Sequence, residues 1–401
     1  MAAFAALWES LLPIGRDPVT GGYHRIAWSE PELRCRAWFT HEAERRDLTV
    51  ERDGNGNLFA WWVEGRGQAV LTGSHFDSVP GGGAFDGPLG IVSAFAALDL
   101  LRAEGYRPAH PIGIAAFAEE EGSRFGISCL GSRLLSGEID PDRARVLADA
   151  EGVTFAEAVT ADLGPGALDA FRIGRDDALL GRIGCFVELH VEQGRALDVP
   201  VGVAGAIWPH GRWRLDFAGR GDHAGSTRLE DRHDPMQPFG HAVIAAREAA
   251  ERHGARATIG RVNTVPGGTN VIASHVTAWL DARGPGDEVV RATVAEIRER
   301  VSLAAAFHGV EFGLTPESYT PLVDFDPDLR KRMLAALGGV PVLPTAAGHD
   351  AGILAARLPT AMLFVRNPTG VSHAPEEHVT EEDCMAGVAA LAAVLRDLAG
   401  A

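Results

Sequence analysis

The chain has 401 residues, 46% hydrophobic and 23% charged, which excludes a disulfide-built module and a disordered polymer and leaves room for two or three domains. Its 37 Lys and Arg face 54 Asp and Glu, for a formal net charge of -17, and a single cation, Lys331, is a lysine. Polyanion backbones are held by clustered Lys and Arg, so this balance excludes a nucleic-acid-binding surface.

Met1 to Trp8 is an apolar run with no basic flank, met directly by Glu9; it fails as a secretory signal and reads as the start of an amphipathic helix. No uncharged stretch approaches the roughly 18 to 20 residues of a membrane span, so no membrane partner is expected. Further on, short apolar runs bounded by Gly or Pro alternate with longer segments of helical period, the pattern of a largely parallel sheet. Four of these runs end in reactive groups. Ala69 to Leu71 leads to His75, Ile112 to Ala118 leads to Glu119, Glu120 and Glu121, Cys185 to Leu189 leads to His190, and Leu358 to Val365 leads through a loop to His373. Ligands of open α/β sheets sit beyond the carboxyl ends of strands, so the four endings are expected to converge on one crevice.

From about 210 to 320 the texture changes. A strand (Arg212 to Phe217), a helix (Pro238 to His253), two strands (Ala257 to Val265 and Val271 to Asp281), a helix (Glu288 to Ala305) and a strand (Val310 to Leu314) follow in the order β-α-β-β-α-β, a split βαβ sandwich. The predicted organisation is therefore a first domain in two pieces, 1–209 and 321–401, with a second domain inserted at 210–320. A helix at Thr380 to Leu398 closes the first, opened by a Thr380-x-x-Asp383 pattern like a capping box. Cys35, Cys129, Cys185 and Cys384 form no C-x-x-C pair, which speaks against a zinc ribbon or disulfide framework and for a reducing cytoplasm.

The segment GSHFDSVPGGGAFDG, residues 73–87, sets His75, Asp77 and Asp86 in one Gly-rich loop after a strand. Imidazole and carboxylate are ordinary ligands of zinc-like metals, and Asp77 is placed to orient the His75 ring; the plain alternative is a turn-rich loop with surface acids. Three adjacent carboxylates at 119–121 repel one another unless a cation is near, the alternative being a solvated acidic turn. His190 in ELHVEQG and His373 in NPTGVSHAPEE complete three imidazoles and two carboxylates with His75, Asp86 and Glu121. That composition suits two metals sharing one carboxylate, with ligands fit for zinc, manganese, cobalt or nickel.

These stretches, with EEEGSRFG, GRGDHAGST (219–227), PGGTNVIAS (266–274) and AAGHDAG (346–352), resemble the ordered motif set of the M20 metallopeptidase-like amidohydrolases, in their hydantoinase/carbamoylase branch. That branch contains N-carbamoyl-L-amino-acid hydrolases, allantoate amidohydrolases and β-ureidopropionases. The resemblance runs from about residue 8 to the end. It implies an α/β fold, a mixed, largely parallel catalytic sheet with an inserted ferredoxin-like lid that pairs two subunits into a homodimer.

Carried over by motif, His75, Asp86, Glu121, His190 and His373 match the family's ligands for two divalent ions, with Asp86 bridging. Glu120 matches the general base, Gly122 setting the register despite the extra Glu119, and Asp77 matches the aspartate behind the ligands. His223 in DHAG resembles the histidine that polarises the scissile carbonyl, in some relatives supplied by the partner subunit. Gln193, Asn270, Arg283 and His349 match substrate-holding positions, with Arg283 as carboxylate clamp and Arg214 as a second candidate on a lid strand. The implied reaction is hydrolysis of a small ureido or amide substrate, an N-carbamoyl-L-amino acid or allantoate. An M20 aminoacylase or peptidase, and an inactive metal-binding scaffold, are the competing readings. Two segments, DARGPG after the lid strand and GSTRLEDRHDP after His223, depart from the family wording and bear on the substrate pocket.

Overall fold

The structure, a computed structural model, describes residues 2–164 and 172–400. Met1, the first residue of the run expected to open a helix, lies outside the described residues; the helix is Ala2–Leu11, with Phe4, Leu7 and Leu11 buried at helical spacing. Two compact units emerge, Met1–Gly205 with Asp324–Ala401, and Ala206–Val323.

The first piece of chain carries β1 (Thr49–Arg52), β2 (Leu58–Trp62), β3 (Ala69–His75), β4 (Ile112–Phe117), β5 (Ile183–Val191) and β6 (Val201–Ile207). The second unit carries β7 (His210–Ala218), β8 (Asp222–His223), β9 (Arg256–Val265), β10 (Val271–Ile272), β11 (His275–Arg283) and β12 (Glu311–Thr320). The chain finishes with β13 (Val323–Asp324), β14 (Val342–Thr345) and β15 (Thr360–Val365).

The large sheet runs β1-β2-β4-β3-β5-β15-β6-β13, with β14 paired to β6. Its centre, β4-β3-β5-β15, is parallel, and the flanking pairs β1-β2, β2-β4 and β15-β6 are antiparallel. Every residue of β2, β3, β4 and β15 is buried, as strands covered on both faces must be, which is why they read as unbroken apolar runs. Helices Pro88–Ala103 and Glu381–Ala399 share this core through Leu89, Val92, Phe95, Val388, Leu391 and Leu395. The register brings the carboxyl ends level, His75 opposite Phe117 and His190 opposite Phe364. Helix Pro88–Ala103 starts behind Gly87 at φ +82, where a Cβ would fall 2.5 Å from His75 Cε1; only glycine lets that turn approach the ring.

At Thr380 the expected capping box is half formed. Its hydroxyl oxygen accepts the Asp383 N–H at 3.1 Å, but Asp383, one methylene shorter than Glu, takes the Thr380 hydroxyl at 2.8 Å and Arg366 at 3.0 and 3.1 Å.

In the second unit the strand order is β12-β7-β11-β9, all antiparallel, with helices Met236–His253 and Asp287–Phe307. Along β7, Trp213, Leu215 and Phe217 turn inward while Arg212 and Arg214 are exposed. The core adds Ala242, Ala245, Ala246 and Ala249, small residues that let the helix lie close, and Val290, Ile297 and Val301. Most bounds differ from those expected by one or two residues, and two strands depart further. The strand predicted over Val271 to Asp281 is two: β10 pairs with β8, β11 joins the main sheet, and at the switch Ser274 donates both its N–H and its hydroxyl to the Val265 carbonyl. The strand predicted to end at Leu314 continues to Thr320, because β12 is an edge strand whose bulge between Pro316 and Ser318 accommodates the proline.

Candidate metal centre

His75 is the last residue of β3 and fully buried; its Nδ1 lies 2.9 Å from the main-chain carbonyl of Asp77, and its Nε2 lies 3.5 Å from Asp86 Oδ1 and 3.7 Å from Glu120 Oε2. Asp77 thus orients the ring through its backbone. Its carboxylate, 3.6 Å from Nδ1, accepts the N–H groups of Glu120 and Glu121 at 3.2 and 3.0 Å and so fixes the acidic turn instead. His190 lies within β5 rather than after it, its Nδ1 2.9 Å from the Val191 carbonyl and its Nε2 3.2 Å from Asp86 Oδ1. A carbonyl can only accept, so both rings carry their proton on Nδ1 and leave Nε2 as a lone-pair donor, the tautomer a metal requires.

The other Asp86 oxygen, Oδ2, is 3.2 Å from His373 Nε2, which is 3.6 Å from Glu121 Oε2. One carboxylate therefore stands between two groups, His75 with His190 and His373 with Glu121. The three acids after β4 separate by backbone geometry. Glu119, at φ +56, turns its Oε1 onto the N–H groups of Arg124 and Phe125 at 2.8 and 2.6 Å. Glu121 joins His373, and Glu120 presents Oε2 toward His75 while its Oε1 accepts the Cys129 thiol at 3.3 Å. Gly122, at φ +66, folds the loop back so that a Cβ there would meet Ser128 N at 2.6 Å.

Asp77, Asp86, Glu119, Glu120, Glu188 and Asp350 are all buried, at most 6% exposed. Burial pushes Glu120 well above the ordinary carboxylate range, Glu121 and Asp350 adding to it against the pull of His75. Burial and neighbouring acids take Glu119 up to about 8 and Glu121 up to about 7. For Asp86 burial is outweighed by the imidazoles of His190, His373 and His75 that face it, which hold it well below its usual value. Its bond to Asp86 lifts His373 to about 9.

Such a concentration of buried anions calls for cations. His75 Nε2, His190 Nε2 and Glu121 Oε1 are buried without hydrogen-bond partners. The ligand atoms of His75, Asp86 and His190, and those of Asp86, Glu121 and His373, lie within 4.8 Å of one another. The residues fit divalent metal by donor chemistry, nitrogen and oxygen together. A third group, Glu188, His190 and His349, is as compact, but both Glu188 oxygens already accept bonds, from Ser74 Oγ and Ala351 N at 2.9 Å each.

Of the sequence-predicted substrate residues, the structure brings two to this centre. Gln193, at φ +56, donates to Asp86 Oδ2 at 2.7 Å, and the buried His349 ring lies 4.5 Å from that of His190, burial holding it neutral. The others belong to the second unit. His223 is exposed on β8, and its Nδ1 accepts the N–H groups of Gly225 and Ser226 at 3.0 Å each, which places the ring proton on Nε2. Asn270, also exposed, accepts the Ala224 N–H on its main-chain carbonyl just before β10. Arg283 is the last residue of β11 rather than beyond the strand, and it grips Asp281 with two nitrogens at 2.7 and 3.0 Å. Arg214 is exposed and bonds Asp216 at 2.8 Å.

Sequence reasoning passed over Glu188, Asp350, Cys129 and Glu377. Glu188 stands two residues before His190 on the same strand and hence on the same face, a spacing that was available to find it. Asp350 follows His349 and accepts the Ser132 hydroxyl at 2.5 Å; Glu377 accepts from the backbone of Phe85 and Asp86.

Residues 71–397 match the sequence profile of Peptidase family M20/M25/M40. The chain is 35% identical to an N-carbamoyl-L-amino acid amidohydrolase of Geobacillus stearothermophilus, covering 96% of each chain. It is 32% identical to the allantoate amidohydrolase of Escherichia coli strain K12, covering 98% of this chain and 97% of the relative. Among solved structures, an amidase of the hydantoinase/carbamoylase family from Burkholderia vietnamiensis superposes with a TM-score of 0.88 at 29% identity, covering 99% of this chain and 98% of that one.

Proposed function

This chain belongs to peptidase family M20/M25/M40, and from that premise we propose that it hydrolyses a linear, non-peptide carbon–nitrogen bond in a small ureido compound, an N-carbamoyl-L-amino acid or allantoate. The observation that carries the reading is Asp86, with Oδ1 toward His75 and His190 and Oδ2 toward His373, beside Glu120. In the proposal His75, His190 and Asp86 hold one divalent ion and Asp86, Glu121 and His373 a second, drawn from zinc, manganese, cobalt and nickel. Bound there, the ions supply Lewis acidity to water and to the scissile carbonyl.

The chain's own groups do the rest. Glu120 Oε2 takes a proton from the attacking water and delivers it to the leaving nitrogen. Its Oε1 stays on Cys129, and its main chain stays fixed by Asp77. His223 donates its Nε2–H to the developing oxyanion, the tautomer that its two backbone bonds select. Gln193, Asn270, His349 and Arg283 bind substrate, Arg283 pairing with its carboxylate and Arg214 standing second. For an N-carbamoyl amino acid the products are the amino acid, carbon dioxide and ammonia.

A homodimer formed through the second unit belongs to the same proposal. Exposed Ile244, Leu303 and Phe307 on its helices and the edge strands β9 and β12 support it. So does a cytoplasmic site of action, supported by four free cysteines. Among the described residues no helix is long and apolar enough to cross a membrane.

Ammonia release from N-carbamoyl-L-amino acids, allantoate and 3-ureidopropionate, with Mn, Co, Ni or Zn supplied, tests the reading. Turnover of N-acyl amino acids or dipeptides with no ammonia from any ureido compound would replace it with the aminoacylase or peptidase assignment.

A further inference from the structure

We infer that Glu377 is a positioning residue that couples the halves of the metal centre, tying the loop that carries Asp86 to the loop that carries His373. The inference rests on the two-ion reading above. His75 and His190 sit on strands, and each has its Nδ1 on a main-chain carbonyl at 2.9 Å. His373 has neither support. It lies in a loop beyond β15 at φ +57, its side chain is 49% exposed, and among the described residues its Nδ1 makes no hydrogen bond. A ligand held this loosely must be placed by its backbone, and two buried polar side chains shape that backbone.

Asn367, fully buried, accepts the N–H groups of Thr369 and Gly370 at 3.1 and 3.0 Å and donates to the Val371 carbonyl at 2.7 Å, setting the start of the loop. Glu377, 4% exposed, sets its end. Its Oε1 accepts the N–H groups of Phe85 and Asp86 at 2.8 and 3.0 Å, and its Oε2 accepts the hydroxyl of Ser372 at 3.0 Å. Ser372 adjoins His373, and the Asp86 N–H adjoins the bridging carboxylate. One side chain thereby joins segments 291 positions apart in sequence, each bearing a ligand of the same trio. The glycine run at 81–83 leaves room for it, since a Cβ at Gly83 would fall 2.4 Å from Glu377 Oε1.

The clamp acts on the ion shared by Asp86, Glu121 and His373 more than on the one shared by His75, Asp86 and His190, whose histidines are anchored independently. The metal-stripped full chain, titrated with Mn²⁺ alone and with bound and free ion counted by electron paramagnetic resonance, reads this directly. The parent is expected to take two ions. Glu377→Ala should retain the first and bind the second about 10- to 100-fold more weakly, the usual loss when a group behind a metal ligand is removed. Ser372→Ala should move the same ion by less. Glu377→Gln, whose amide oxygen still accepts the two N–H groups, should stay close to the parent, and the thermal midpoint of the metal-free chain should hardly change in any of them. His373→Ala serves as the reference for losing that ion. Parent-like binding of both ions by Glu377→Ala, or equal weakening of both ions together with a lowered metal-free midpoint, would overturn the inference. Should Glu377→Ala fail to fold, Ser372→Ala with parent-like binding would do so. A parent that takes a single ion would overturn the two-ion reading itself, and that failure is seen before any variant is made.

Discussion

In the first unit Asp77, Asp86, Glu119 and Glu120 are buried, and each is met by N–H groups, imidazoles or a thiol at fixed distances. In the second, Arg214 and Arg283 lie on an antiparallel sheet and pair with Asp216 and Asp281, two residues along their own strands. The difference follows from solvation. A buried charge without partners is strongly unfavourable, so the fold must specify every neighbour of the first set. Arg214, exposed beside a local acid, gains little stability from that pair, so substitution there is expected to be tolerated. In the proposed reading the metal ligands and the general base therefore belong to the first unit and His223 and the carboxylate clamp to the second, so substitutions in the second are expected to alter substrate handling before metal binding.

Substitutions can break or sharpen this contrast. The largest effect is expected from Asp86→Ala, which removes the one carboxylate common to both trios. Both ions should be lost and, with them, several kcal/mol of transition-state stabilisation, a fall in kcat/KM on the order of 10⁴-fold; elemental analysis with kinetics checks it, and retention of two ions would dissolve the bridging role. Next comes Glu120→Gln, expected to keep its metal and lose about 10²- to 10⁴-fold in kcat. If that variant were active, Glu119 would be the residue to test.

In the second unit Arg283→Ala should leave metal content untouched and raise KM for carboxylate-bearing substrates about 10- to 100-fold, the worth of a charged hydrogen bond. Arg283→Lys should recover little, since an ammonium cannot make the two-pronged contact. A parent-like KM would pass the role to Arg214.

The smallest effect concerns a buried acid outside the centre. Burial lifts Glu32 to about 7, against the pull of Arg36 and the Trp28 N–H. A folded pKa above the unfolded 4.5 means a stability contribution complete below about pH 4.5 and lost as pH rises through about 7. Urea unfolding of parent and Glu32→Gln, both metal-free, should therefore show the parent losing about 1 to 3 kcal/mol relative to the variant between pH 5 and pH 8. Parallel curves would show that Glu32 ionises without penalty.

What could be read from the sequence tracks the same divide. The four parallel strands were legible because burial on both faces leaves apolar runs followed by reactive residues, and the inserted β-α-β-β-α-β order showed in its changing periods. The Thr315-Pro316 pair hid the second half of β12, since an edge strand tolerates a proline that a central strand does not. The role of Glu377 was invisible for another reason: besides nearby Ser372, it meets the backbone N–H groups of Phe85 and Asp86, about 290 positions away, and no local pattern encodes a contact with a main-chain N–H. The anchoring of His75 by the carbonyl of Asp77, rather than by its carboxylate, is likewise a fact of backbone direction.

Glu119, Cys129, Gln193 and His373 all hold left-handed backbone conformations, with φ between 55 and 57. For residues with a Cβ each such turn costs roughly 1 to 2 kcal/mol, and glycine would relieve it. Glu119 holds two N–H groups and Cys129 is buried, so glycine is a net gain at neither; a laboratory evolving this protein for heat resistance alone would be drawn to Gln193 and His373, and the variants that survive hottest would be those that had traded away the amide on Asp86 or the third imidazole. Selection for thermal tolerance has to be run with turnover as a simultaneous criterion, or it will converge on a sturdier protein with nothing left to catalyse.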